Sequence, residues 1–306
     1  IGPVWHRQRP HTGAIEPMFN RLFFYSNQLK PNNSITMFDP VFIVSLLVLG
    51  VVSGVLAGLL GIGGGMLLVP FLTFLMVSQG VPVEHVVHSS IATSLAIIMF
   101  TSISSMRAHH KAGAVRWDIV KFLTPGILIG GFAGSKVVSY LPTKELALVF
   151  GAFVIFSAYQ MYADKKPKPT RTLPGKTGLA AVGSLIGAAS AIVGAGGGFL
   201  SVPFMVWSNI NLRNAVATSA ALGFPIAVFS SVAYVINGQH LQGMPTGSLG
   251  YVYLPAVGCV AAMSVLFAPY GARLAHTLPV KKIKRIFALL LSFIALSMIY
   301  KAVTGF

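Results

Sequence analysis

Four glycines crowd into five positions, Gly61, Gly63, Gly64 and Gly65, inside the apolar run GLLGIGGGMLLVPF (58–71). Glycine is costly inside a helix, and the proline that follows, Pro70, removes a backbone donor. A run written this way bends the chain or presents the backbone itself to a ligand. The pattern recurs in AIVGAGGGFLSVPF (191–204), where Gly194, Gly196, Gly197 and Gly198 precede Pro203-Phe204 as the first set precedes Pro70-Phe71. A helix restarting at Met66 or Phe199 would aim its unpaired N–H groups and positive dipole end at the break. That is an anion site without a charged side chain. The candidate substrate-binding glycines are therefore Gly63, Gly64, Gly65, Gly196, Gly197 and Gly198. Close helix packing at small residues explains the same glycines without a ligand, and both readings stand.

Hydroxyls follow each run. Ser89, Ser90, Thr93 and Ser94 form one cluster, and Thr218 and Ser219 echo it in a second Ala-Thr-Ser. Ser90, Thr93, Ser94, Thr218 and Ser219 are candidate ligands for the same anion, although membrane hydroxyls also bond their own helix backbone. Lys136 and Arg273 hold matched positions before Leu141-Pro142 and Leu278-Pro279. They could draw an anion in from opposite faces, or snorkel to the interface. His88 is the nearest candidate for proton coupling, and a hydrogen-bonded helix-end histidine is the plainer reading. No carboxylate stands deep in an apolar run: Asp39, Glu84, Asp118 and Glu145 lie at or near expected helix starts, and Asp164 and Glu16 lie outside the runs. Cation pumps usually keep an acid at depth, so a small anionic substrate is expected. Cys259 is the single cysteine, which leaves no intrachain disulfide and no Cys-based metal site. His109-His110 lacks the spacing of a helical metal pair. No metal and no cofactor is expected. The glycine runs do not fit G-x-G-x-x-G or end in Gly-Lys-Ser/Thr, so a nucleotide loop is set aside. G-x-S-x-G, H-E-x-x-H and an intramembrane carboxylate pair are all missing, which argues against an embedded enzyme.

The elements that carry these residues are membrane helices. Charged residues make up 9% of the 306 and hydrophobic ones 55%, against about 25% charged in soluble domains. Residues 40–83, 177–212 and 214–272 contain no Asp, Glu, Lys or Arg. The net charge of +16 collects in short connections, as the positive-inside rule requires. Anionic lipid is thus the expected partner of this charge, and nucleic acid is not. A second copy of the chain is a further candidate partner.

Matching motifs divide the chain into a tail (1–40), a first membrane repeat (41–163), a Pro- and Lys-containing linker (164–176) and a second repeat (177–303). Met37 could be a natural start. One helix over 41–77 would measure about 55 Å in a hydrocarbon core of about 30 Å. It must break at the glycines, which leaves 66–77 and 199–207 as half-helices or re-entrant segments. The fold expected is an all-α polytopic membrane protein with about eight spans, or about ten helical elements counting half-helices. The Lys/Arg bias reverses between matched loops: RAHHKAGAVRW is basic where NGQHLQGMPTG is not, and LPTKE is poor where LPVKKIKR is rich. Matched loops on opposite sides mean inverted repeats, with the linker inside.

The doubled G-x-G-G-G with its V-P-F, the paired A-T-S and the two-half organisation resemble the sulfite exporter TauE/SafE family, also called the toluene sulfonate uptake permeases. The resemblance spans residue 38 to about residue 303. It implies a multi-pass transporter of the bacterial inner membrane that moves small sulfur-containing or organic anions. An anion channel of the same fold is the alternative, and a membrane-embedded enzyme a more distant one.

Overall fold

The computed structural model describes residues 40–60, 64–163, 171–274 and 280–304. The expectations for the tail, Gly61 to Gly63, residues 164–170 of the linker and Leu278-Pro279 lie outside these residues, as do the side chains of Lys281, Lys282 and Lys284.

Ten helices and one short hairpin are present among the described residues. The first half holds α1 (Pro40–Leu60), α2 (Gly65–Ser78), α3 (Val86–Lys111), α4 (Trp117–Val138) and α5 (Thr143–Ala163). The second holds α6 (Lys176–Val193), α7 (Gly198–Trp207), α8 (Leu212–Asn237), α9 (Leu254–Leu274) and α10 (Val280–Thr304). Among the described residues, seven helices are long and apolar enough to cross a membrane. The eighth long helix, α4, falls short because its glycines, Lys121 and Lys136 dilute its hydropathy. The expected span near 249–275 starts later. Residues 248–253 instead form a hairpin of β1 (Ser248–Leu249) and β2 (Val252–Tyr253), turned at Gly250 with φ 56°.

The best-buried spans are α3, with 83% of its apolar window enclosed, and α8, with 61%. These two pack on each other at the centre, and α10 at 33% lies outermost. Two tight helix pairs flank the centre. In one, Gly50, Gly54 and Gly58 of α1 face Val260, Ser264 and Ala268 of α9. In the other, Gly126, Gly130 and Gly134 of α4 face Ala180, Ser184 and Ala188 of α6. Each step of four residues meets a step of four, so both pairs run parallel. Backbone lies against backbone: a Cβ on Gly54 would sit 2.6 Å from the Ser264 oxygen. This is the small-residue interface through which membrane helices approach closely. The third pair is antiparallel. In it the Arg285 guanidinium of α10 lies over Tyr162 of α5, and Ile299 lies against Gly151.

Short helices α2 and α7 fold back along α1 and α6. Gly64 comes to rest against Ser53, and Gly197 against Ile186 and Ser190. Each of the two glycines caps the helix that follows it, with φ 71° and 75°, a conformation that side chains resist. The half-helix expectation is thus met by two hairpins. The loop ends gather into two groups. His88, Val138, Leu141, Thr143 and Glu84 are bonded together at one end. At the other, Arg213 and Asn214 bond to Ala112 and Ala114, and the Arg171 amide bonds to Trp207.

Candidate functional site

The two glycine breaks meet at the centre of the protein. A Cβ placed on Gly65 would strike the Gly194 oxygen and lie 2.7 Å from the Ala195 Cα. Ser94 Oγ donates to the same Gly194 oxygen at 2.9 Å, joining α3 of the first half to the break of the second. Among the described residues, no acceptor takes the amides of Gly196, Gly197 or Gly198. With the N-terminus of α7 beside them, these amides make the region positive.

A small cavity of about 10 Å³ opens beside this second break, about enough for one water molecule. Ala57, Thr101, Ser102, Ser105, Gly196 and Ser219 line it, together with Ala220 and Gly223. Most of its hydroxyls are engaged. Thr101 bonds to Ile97 and to Ser264 Oγ (2.6 Å), Ser102 to Met99, and Ser201 donates to Ser219. Ser105 Oγ is buried and has no hydrogen-bond partner among the described residues.

Several expected ligands are hydrogen-bonded to backbone groups. Ser90 Oγ donates to the Val86 carbonyl of its own helix at 2.7 Å. Thr93 Oγ1 accepts the Tyr253 amide, just before α9, and Thr218 Oγ1 accepts the Arg116 amide, just before α4, both at 3.0 Å. The side chains of Ser89 and Asn214 donate to the carbonyls of Tyr251 and Ala114 in those same two loops. Each half thus clasps a loop of the other through a matched pair of polar side chains. This placement is the physical reason that Thr93 and Thr218 are capping groups: their acceptor oxygens are spent on backbone N–H groups that have no helical partner. Thr93→Val is expected to leave the Tyr253 amide buried without an acceptor, a loss of about 1–3 kcal/mol, measurable as a lower unfolding midpoint in detergent. Thr93→Ser should recover most of it.

His88 likewise faces backbone groups. Its Nε2 lies 3.1 Å from the Val138 carbonyl and 3.0 Å from that of Leu141, its Nδ1 faces Thr143 Oγ1, and its ring stacks on Tyr251. Burial raises the Tyr251 phenol above its ordinary range. Lys136 and Arg273 are exposed at opposite ends, over the rings of Tyr140 and Tyr270. Neither reaches the breaks. The end that carries Arg273 also holds Arg116, whose guanidinium donates to Asp118 at 2.8 and 2.6 Å; these hydrogen bonds to the carboxylate raise the Arg116 pKa further.

The structure therefore brings Gly64, Gly65, Ser94, Gly196, Gly197, Gly198 and Ser219 to one central region, while Gly63 lies outside the described residues. Sequence reasoning missed Ser105, Ser102, Thr101 and Gly223. The only signal for Ser105 was register: aligning Ala92-Thr93-Ser94 with Ala217-Thr218-Ser219 pairs it with Ser230. Among the described residues, no group of three metal-ligating side chains comes together.

Comparison with known proteins gives the same class. A probable membrane transporter protein of Haemophilus influenzae is 36% identical over 262 residues, covering 85% of this chain and 99% of its own. A probable membrane transporter protein of Methanocaldococcus jannaschii is 28% identical and covers 73% and 82%. YdhB of Bacillus subtilis, also named a probable membrane transporter protein, is 27% identical and covers 60% and 76%. No solved structure matches the chain. The family model for the sulfite exporter TauE/SafE matches residues 46–298. With that match covering most of the chain, and with seven helices among the described residues long and apolar enough to cross a membrane, this multi-pass membrane protein belongs to the sulfite exporter TauE/SafE family of transporters.

Proposed function

We propose that the protein is a secondary transporter that carries a small sulfur-containing or organic anion by alternating access around the two apposed glycine breaks. The observation that carries this reading is the direct packing of Gly65 on Gly194 and Ala195. It sets a positively ended helix start against a second broken element, in the interior of a membrane protein. An anion gains from such helix ends without a fixed cation. Charge supports the sign: the described carboxylates, Glu84, Asp118 and Glu145, all stand at helix starts or in loops. The name of the matching family points to sulfite and to export.

In this reading residues 41–163 and 177–303 are inverted repeats joined by a cytoplasmic linker, 164–176. Antiparallel packing of the matched helices α5 and α10 supports it. So does the position of Arg116, Arg171, Arg213 and Arg273 at one end, which is then the cytoplasmic one.

The test is radiolabelled flux in proteoliposomes across sulfite, sulfate, thiosulfate, sulfonates and organic carboxylates. Saturable flux that is stimulated by anion on the opposite side is expected. Flux that grows without saturation would make the protein a channel, and movement of amines or metal cations alone would reverse the sign of the substrate. For topology, Gln239→Cys in a Cys259→Ser background should react with an impermeant thiol reagent applied from outside, and Lys176→Cys should be protected. The opposite pattern removes the cytoplasmic assignment of the linker.

A further inference from the structure

The two halves share an order of five helices and differ in side-chain size beside their breaks. The register that pairs Thr93 with Thr218 also pairs Gly223 with Ile98, Ala220 with Leu95, and Thr101 with Ile226. Beside the first break, Ile98 fills the space: its Cδ1 would lie 2.9 Å from a Cβ on Gly65. Leu95 and Ile98 are both fully buried, whereas Ile226 belongs to the second break, its Cδ1 2.6 Å from where a Cβ on Gly197 would stand. Beside the second break the matched position is Gly223, and there the cavity opens, with the Ser102 Cβ and the Gly196 oxygen its nearest neighbours. One side of the centre is therefore packed with aliphatic carbon. The other is small and lined by hydroxyls, and it holds Ser105 Oγ, which like its counterpart Ser230 Oγ has no hydrogen-bond partner among the described residues.

We infer that this cavity is the docking pocket for one oxygen atom of the transported anion. Its volume, about 10 Å³, suits a single oxygen and excludes a whole oxyanion, so the rest of the substrate lies toward the breaks. Ser105 Oγ–H is the donor to that oxygen, and the unpaired amides of the α7 start supply the positive surroundings. The occupant is an acceptor-only anion with a compact oxygen corner, and it sits off the centre, on the side of the second break. Gly223 is a specificity residue in this arrangement, since any side chain there enters the oxygen's space. The inference rests on the anion-transporter reading and adds to it the residues that hold the anion.

The experiment measures KM for radiolabelled sulfite and sulfate in proteoliposomes, with unfolding midpoints recorded for each variant. Ser105→Ala removes one hydrogen bond to a charged group and should raise KM about tenfold or more. Gly223→Ala should raise it similarly while melting near the wild type, because its Cβ would meet only Ser102 Cβ at 3.3 Å and the Gly196 oxygen at 3.7 Å. Ser230→Ala, the matched change in the other half, should leave KM unchanged. An unchanged KM in Ser105→Ala means that water alone partners the hydroxyl, and the inference falls. Equal losses in Ser105→Ala and Ser230→Ala also overturn it, since they report general packing. Should Ser105→Ala fail to fold, Gly223→Ala decides: wild-type KM there rejects the pocket. A wild-type protein that carries chloride but neither oxyanion overturns the oxygen pocket and leaves the anion reading intact. A wild-type protein that carries no anion overturns both.

Discussion

Gly65→Ala is expected to abolish transport and to lower the unfolding midpoint, although the change is a single methyl. The new carbon would strike the Gly194 oxygen and stand 2.7 Å from the Ala195 Cα. Both neighbours are backbone, so no rotamer change relieves the contact. The two breaks must separate, and the Gly194 oxygen is displaced from Ser94 Oγ, which donates to it at 2.9 Å. Overpacking of a close-packed interior costs about 1–3 kcal/mol, and here it falls on the site itself. Thermal unfolding with and without sulfite separates two outcomes: a lower midpoint with the ligand shift retained means packing alone, and a lower midpoint with the shift lost means that the breaks form the site. Gly258→Ala is the control. Nothing lies within 4 Å of its Cβ, so stability and flux should hold or improve slightly.

Gly130→Leu should be more damaging still, and in a different way. Gly130 lies at the middle of the α4–α6 contact, where a Cβ would meet the Ser184 carbonyl carbon at 2.6 Å and its Cα at 2.8 Å. A leucine side chain cannot fit between two backbones in contact. The helix remains apolar, so membrane insertion should survive, but α4 cannot dock on α6. Loss of the pair also releases the Arg116 amide from Thr218, since that bond sits at the head of α4. The expected result is protein present in the membrane fraction that unfolds or aggregates on extraction, with no flux. A monodisperse, transport-competent Gly130→Leu protein would show that the tight pair is dispensable.

Most helix boundaries were legible from sequence because length and hydropathy decide them: the second-half helix expected at 212–237 is Leu212–Asn237. The span expected from 249 failed where apolar content misled. The residues Leu249, Val252 and Tyr253 are apolar, yet Gly247 and Gly250 take φ 88° and 56° and turn the chain into a hairpin. The breaks were legible because four glycines in five positions have few structural uses. The threonines were not, because ligand binding and loop capping both call for a buried hydroxyl, and residue type cannot tell an acceptor used by a substrate from one used by an amide. Ser105 was missed for the opposite reason. It stands in TSISSMRAHH among other serines, and only the three-dimensional neighbourhood reveals which hydroxyl lacks a partner. The stripes Gly50-Gly54-Gly58 and Gly126-Gly130-Gly134 were visible as spacing, but spacing alone does not say which helix receives them.

The crossed clasp bears on how the chain is made. Arg116 leaves the ribosome long before Thr218, and its amide has its acceptor only when the second half arrives. Thr93 in turn waits for Tyr253. The first half can thread into the bilayer as it is synthesised, since each long helix satisfies its own backbone, but the head of α4 and its loop stay open until α8 is in place. Biogenesis therefore has two phases, insertion in chain order and closure at the end. A chaperone or protease at the membrane surface would meet the nascent first half with the 112–116 loop still unlatched.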